Sequence, residues 1–252
     1  MFRAASLLVG LLATVGSALK LAPYLKPCSR NDPNLDECTL KHGIEAIPQL
    51  IKGDPKYGIP VLDPVAITEI RIEDPDKDKK PTGIDIVLRD IQIRGLQHAV
   101  LTKARYDLKG KKVEVTADVP NIWLTFKYEI DGKILAVPIV GKGDGSLNMS
   151  NVNLFYNTLI SLVKKEDGLE YMHVDDFKFN YKTKNTVWHL DNLFNGNKAL
   201  GESTNAFLNE NWQLLNSELG PHFAQAIGDV AKQIIVGITN VVPYDEFFPE
   251  KV

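Results

Sequence analysis

The feature that most constrains this chain is a C-terminal stretch, from about Leu200 to Val242, that reads as one long and unusually apolar helix. Leu208, Trp212, Leu215, Leu219, Phe223, Ala226, Val230, Ile234, Ile238 and Val241 recur at steps of three and four, which keeps one stripe facing one way. Beyond Phe223 the stripe widens, because Ile227, Ala231, Ile235 and Val242 fill other faces, with Asp229, Lys232 and Gln233 as polar exceptions. A helix apolar on most of its circumference has to be enclosed. At 1.5 Å per residue, about 40 residues make a rod roughly 60 Å long.

The sequence available to enclose it alternates. Ile70 and Ile72 interleave with Glu69, Arg71 and Glu73, and Ile84, Ile86 and Leu88 share a face. After Arg89-Asp90 the parity flips to Ile91 and Ile93, the signature of a β-bulge, which bends a strand. Further runs follow: Val100, Ala104, Tyr106 and Leu108; Val113 to Val119; Ile122, Leu124, Phe126, Tyr128 and Ile130; Leu135, Val137 and Ile139; Val152 to Ile160; and Phe177, Phe179 and Tyr181. Lys109-Gly110, Asp131-Gly132, Asp144-Gly145 and Asp167-Gly168 read as turns between them. Consecutive long strands joined by tight turns make an antiparallel meander with one dry face, and the helix is the one element large enough to cover it. The expected fold class is therefore α+β: a long curved antiparallel β-sheet wrapped around one long C-terminal α-helix.

Pattern alone leaves two interiors open. The aromatic surfaces can interlock as a solid core at ordinary interior density. Alternatively a void remains, for which two features speak. His98, Thr102 and Thr158 share the inward parity and can meet a ligand's polar end. Gly220, Pro221, Gly228 and Gly237 prevent uniform packing along the helix and bend it. If a void exists, the expected lining is Leu124, Phe126, Tyr128, Val137, Phe177, Phe179 and Tyr181 from the sheet, with Phe207, Trp212, Leu215, Phe223, Ile227, Val230 and Ile234 from the helix. If the core is solid, function moves to the outer face, with Trp123 and Trp188 as anchors.

The N-terminus carries a short positive start, an apolar run from Ala4 to Val15, and Gly16-Ser17-Ala18, the pattern of a cleaved signal peptide over residues 1–18. The remaining 19–252 read as one domain without a Gly/Ser/Pro-rich linker. Loss of Arg3 and no acid takes the formal charge from −3 to −4, which offers nothing to nucleic acid or to an anionic membrane. No run is long enough for stable membrane insertion. In a secreted chain Cys28 and Cys38 are expected to pair, tying the N-terminal segment to a short helix whose apolar side is Leu40, Ile44, Ile47 and Leu50. Asn148-Met149-Ser150 is a glycosylation sequon, placed next to the Asp144-Gly145 turn.

Catalytic chemistry is not indicated. The chain has no G-x-S-x-G and no G-x-x-x-x-G-K-[ST]. Its five histidines are dispersed and no metal or cofactor is expected. His173 with Asp175 fits an outward polar face.

Several motifs, taken in order, resemble the insect takeout and juvenile-hormone-binding-protein family. They are the early cysteine pair, Gly58-Ile59-Pro60-Val61-Leu62-Asp63-Pro64, the run Leu190-Asp191-Asn192-Leu193-Phe194-Asn195-Gly196 leading into Asn205 to Trp212, and Pro243-Tyr244-Asp245-Glu246-Phe247-Phe248-Pro249. A single cysteine pair resembles the takeout branch, since hormone-binding members usually carry a second disulfide. The resemblance implies the tubular lipid-binding architecture, a hydrophobic tunnel, and a secreted carrier of terpenoids or fatty-acid-like lipids. It also implies an association with haemolymph, antennae, feeding and circadian output.

Overall fold

The structure is a computed structural model that describes residues 18–252 apart from Pro75, Lys77, Lys80 and Pro81. The signal-peptide expectation falls on 1–18 and so lies almost wholly outside the described residues. Helix α1 (Leu35–Leu50) precedes seven strands: β1 (Val65–Ile72), β2 (Gly83–Arg94), β3 (Val100–Asp107), β4 (Lys112–Ile134), β5 (Val137–Lys164), β6 (Glu170–Lys182) and β7 (Asn185–Leu190). Helices α2 (Lys198–Glu210), α3 (Trp212–Thr239) and the short α4 (Tyr244–Phe247) close the chain.

All seven strands form one antiparallel sheet. Its backbone is the β4–β5 ladder, which runs from Lys112↔Leu159 to Ile134↔Val137. One half of that ladder is flanked by β3 and β6, the other by β2–β1 and β7. Strands of 23 and 28 residues extend roughly 75 and 90 Å at about 3.3 Å per residue, far beyond an ordinary strand. The expected bulge in β2 is present: the register with β4 shifts between Arg89 and Gln92, and Asp90 has φ 53.

Two expected turns are instead strand interior. Asp131-Gly132 pairs with Val140 and Ile139, and Asp144-Gly145 pairs with Lys127 and Phe126. The reversal occurs at Leu135-Ala136, both with positive φ. Gly141 and Gly145 serve close approach, because a Cβ there would meet the Tyr128 hydroxyl or the Phe126 ring. Asn148 consequently lies mid-strand, with an exposed side chain, opposite Trp123 and Val187. The turns at Lys109-Gly110 and Asp167-Gly168 stand as expected.

The long rod is also two helices. Asn211, at φ −108 and ψ 23, separates α2 from α3, and its side chain donates to Phe207 O at 2.8 Å. Pro221 sits inside α3, which continues through it. Leu208, Leu215, Leu219 and Phe223 belong to one core cluster with Ile84, Ile86, Ile130, Ile134, Ile139, Trp188 and Leu190. Only about 20 Å³ of void remains between α2–α3 and these strands, room for about one water. This half of the tube has the solid interior.

Helix α1 covers the other end, lying on β3. Cys28 and Cys38 form a disulfide that fastens the preceding segment to it. That segment is itself joined to the C-terminus through Leu19 N–Val241 O (2.8 Å), Cys28 N–Phe247 O (3.0 Å) and Arg30 N–Pro249 O (2.9 Å).

Candidate functional site

Under α1 lies a cavity of about 280 Å³. Its roof is the α1 face Thr39, His42, Gly43, Ala46 and Leu50, and its floor is Val113 and Val115 of β4, Tyr156, Thr158 and Ile160 of β5, and Met172 and Val174 of β6. Ile235, Ile238 and Thr239 of α3 close one side, and Leu21, Leu25, Phe247 and Phe248 from the two chain ends close another. The α1 face differs from the expected one. Leu50 turns inward as expected, but Ile44 is 44% exposed, and small residues spaced i, i+4 and i+7 (Thr39, Gly43, Ala46) line the cavity beside Leu50. Small side chains leave the space that larger ones would fill.

Polar groups inside this cavity are few. Thr158 is buried and donates to Asp176 O at 2.7 Å. Tyr156 Oη and Thr239 Oγ1 are buried without a hydrogen-bond partner. Burial pushes the Tyr156 hydroxyl above its ordinary pKa, while the nearby Thr158 side chain pulls weakly the other way. Neither oxygen presents surface to the cavity: both are packed into its wall, where an unpaired buried hydroxyl costs about 1–3 kcal/mol.

Further along the tube a second, almost wholly apolar cavity of about 120 Å³ lies between the sheet and the middle of α3. Six expected lining residues meet here: Leu124, Phe179, Tyr181, Ile227, Val230 and Ile234. Burial drives the Tyr181 pKa up to about 12. Phe177 stacks on the Tyr156 ring at 6.0 Å and 9°.

The other expected positions lie elsewhere. Phe126, Tyr128, Leu215 and Phe223 are packed into the solid half, where the Tyr128 hydroxyl donates to Asp191 O at 2.6 Å. Phe207 lies half-buried against that core. Trp212 borders an open groove beside Gly220. Val137 is 40% exposed, because it sits just past the β4–β5 reversal. His98 and Thr102 are exposed, not inward: His98 ends a short 3-10 turn (Leu96–His98) before β3 and so has no strand parity, and at Thr102 the register of β3 with β4 slips between Leu101 and Lys103, which reverses the parity. Trp188, expected on the outer face, is 4% exposed with its ring 6.2 Å from Phe223, while Trp123 is 43% exposed.

Sequence reasoning missed the α1 roof and the terminal segments of the larger cavity. The signal available was the run of small inward residues on α1, which hydrophobic counting passes over. Cys28, Cys38 and His42 place three potential ligand atoms within 4.8 Å of one another. Both sulfurs are committed to the disulfide, so no thiolate is available to a metal. No described helix is long and apolar enough to cross a membrane.

Comparison with known proteins places this architecture. The chain is 29% identical over 246 residues to the circadian clock-controlled protein daywake of Drosophila yakuba, covering 95% of this chain and 94% of that protein. Daywake of Drosophila melanogaster is 28% identical over 235 residues, covering 90% and 88%. The crystal structure of Epiphyas postvittana Takeout 1 matches with a TM-score of 0.79 at 25% identity, over 89% of this chain and 99% of that one. Residues 6–249 match the pattern of the haemolymph juvenile hormone binding protein (JHBP) family, and to that family, on its takeout-like side, this chain belongs.

Proposed function

We propose that the chain is a secreted, non-enzymatic carrier that holds one small hydrophobic molecule under α1. The observation that carries this reading is the apolar cavity of about 280 Å³ lined by α1, the sheet, α3 and the terminal segments. A small apolar molecule there replaces void with van der Waals contact. At about 30 Å³ per atom-sized volume the cavity admits a body of roughly ten heavy atoms. Burying ten methylenes gives on the order of 8 kcal/mol gross. Association costs of about 4 kcal/mol or more leave about 4 kcal/mol or less, so filling this cavity alone gives roughly millimolar affinity.

Secretion follows on the same reading from the N-terminal apolar run and the disulfide. A place in rhythmic output is supported by the clock-controlled relatives. Organic-solvent extraction of protein purified under mild conditions, paired with native mass spectrometry, tests the carrier. One equivalent of a small lipid is expected. A protein that copurifies with none, and binds none when offered, removes the proposal.

A further inference from the structure

We propose that Tyr156 is the partition that sets how long a ligand this chain accepts, which makes the cargo a medium-chain lipid rather than one threaded along the whole tube. The inference rests on the carrier reading above. Along β5 the inward residues pass from one cavity to the other: Leu154 lines the smaller, and Thr158 and Ile160 line the larger. Tyr156 stands between them. Its cross-strand partner on β4, Val115, faces the larger cavity, and its partner on β6, Phe179, faces the smaller. On α3 the same boundary falls between Ile234 and Ile235.

The ring does not stand unsupported. It is 9% exposed and stacks on Phe177, whose ring in turn occupies the recess left by Gly228, where any Cβ would collide with it. A ring braced this way resists being pushed aside by an incoming chain, since interiors at this density transmit strain instead of yielding. With the ring in place, a ligand has about 280 Å³. Removing it opens a way to the further 120 Å³ or so, room for roughly four more carbons.

The test is displacement of N-phenyl-1-naphthylamine by straight-chain alcohols from octanol to octadecanol. Wild type is expected to favour chains near decanol, and Tyr156→Ala to shift the optimum upward by about four carbons. Tyr156→Phe keeps the ring and loses only the hydroxyl, so it should hold the wild-type optimum; a shift as large as that of Tyr156→Ala would refute the ring as the partition. If Tyr156→Ala keeps the wild-type optimum, the partition is refuted and the carrier stands. If no alcohol displaces the probe from wild type, the carrier reading fails first. Should Tyr156→Ala not fold, Phe177→Ala removes the brace, and an unchanged optimum there refutes the partition equally.

Discussion

One hydroxyl in the wall of the larger cavity is a cost rather than a contact. Thr239 Oγ1 is buried, presents no surface to the cavity and has no hydrogen-bond partner. Thr239→Val preserves shape and removes the unpaired group. It is expected to raise stability by about 1 kcal/mol and to leave the binding of a decanol-sized alcohol unchanged. A melting curve together with probe displacement checks both; a lower melting temperature would mean that the hydroxyl is bonded in the folded protein. The polarity was partly legible beforehand. Thr158 was expected to face inward and does, but its hydroxyl is already engaged by Asp176 O at 2.7 Å. His98 and Thr102 were expected beside it and are exposed, His98 because it lies in a 3-10 turn before β3, and Thr102 because one slipped register in β3 exchanges the faces on its two sides.

Among the elements, α2 shows most directly how a helix can finish a sheet. Asn205 bonds both backbone groups of Leu190, at 2.9 Å each, and Asn209 bonds both of Trp188, at 2.7 and 3.0 Å. Four residues of helix rise about 6 Å and two residues of strand about 6.6 Å. Asparagines four apart can therefore serve alternate residues of an edge strand, supplying the partner that the edge otherwise lacks. Replacing both by leucine leaves four bonds unmade and should cost about 2–5 kcal/mol, read as a lower urea midpoint. A loss below ~0.5 kcal/mol would show that water replaces these bonds freely. These asparagines belong to a run whose family resemblance was visible in the sequence; their task was not, since it depends on β7 lying alongside. The break at Asn211 and the place of Asp144-Gly145 within β5 were hidden for a similar reason. Gly145, which reads as a turn former, is there to let the Phe126 ring lie across the neighbouring strand.

At the scale of the whole molecule the tube is solid at one end and hollow at the other. The hollow end is closed by α1 and by the two chain termini, with Cys28–Cys38 as the covalent tie. Opening that loop, with cysteines ten residues apart, by Cys28→Ser with Cys38→Ser should lower stability by about 2–3 kcal/mol on the chain-entropy view. Because the lost tie holds the roof of the larger cavity, ligand should also leave faster. Stopped-flow release of the naphthylamine probe measures this; unchanged release from a destabilised variant would place the route of exit elsewhere.

The amino-acid sequence determined the alternation of β1, β2, β4, β5 and β6, the β2 bulge, the cysteine pair and the helical character of the C-terminal segment. All of these depend on the chemistry of residues close together in the chain. Only the tertiary structure decided where the space is. Parity says that Phe126 and Tyr156 both point inward, yet Phe126 is packed into the solid half and Tyr156 borders the larger void. Whether an inward side chain touches a facing one or a gap depends on the volumes that meet from distant segments, and here the small residues of α1 and the two chain ends set that volume.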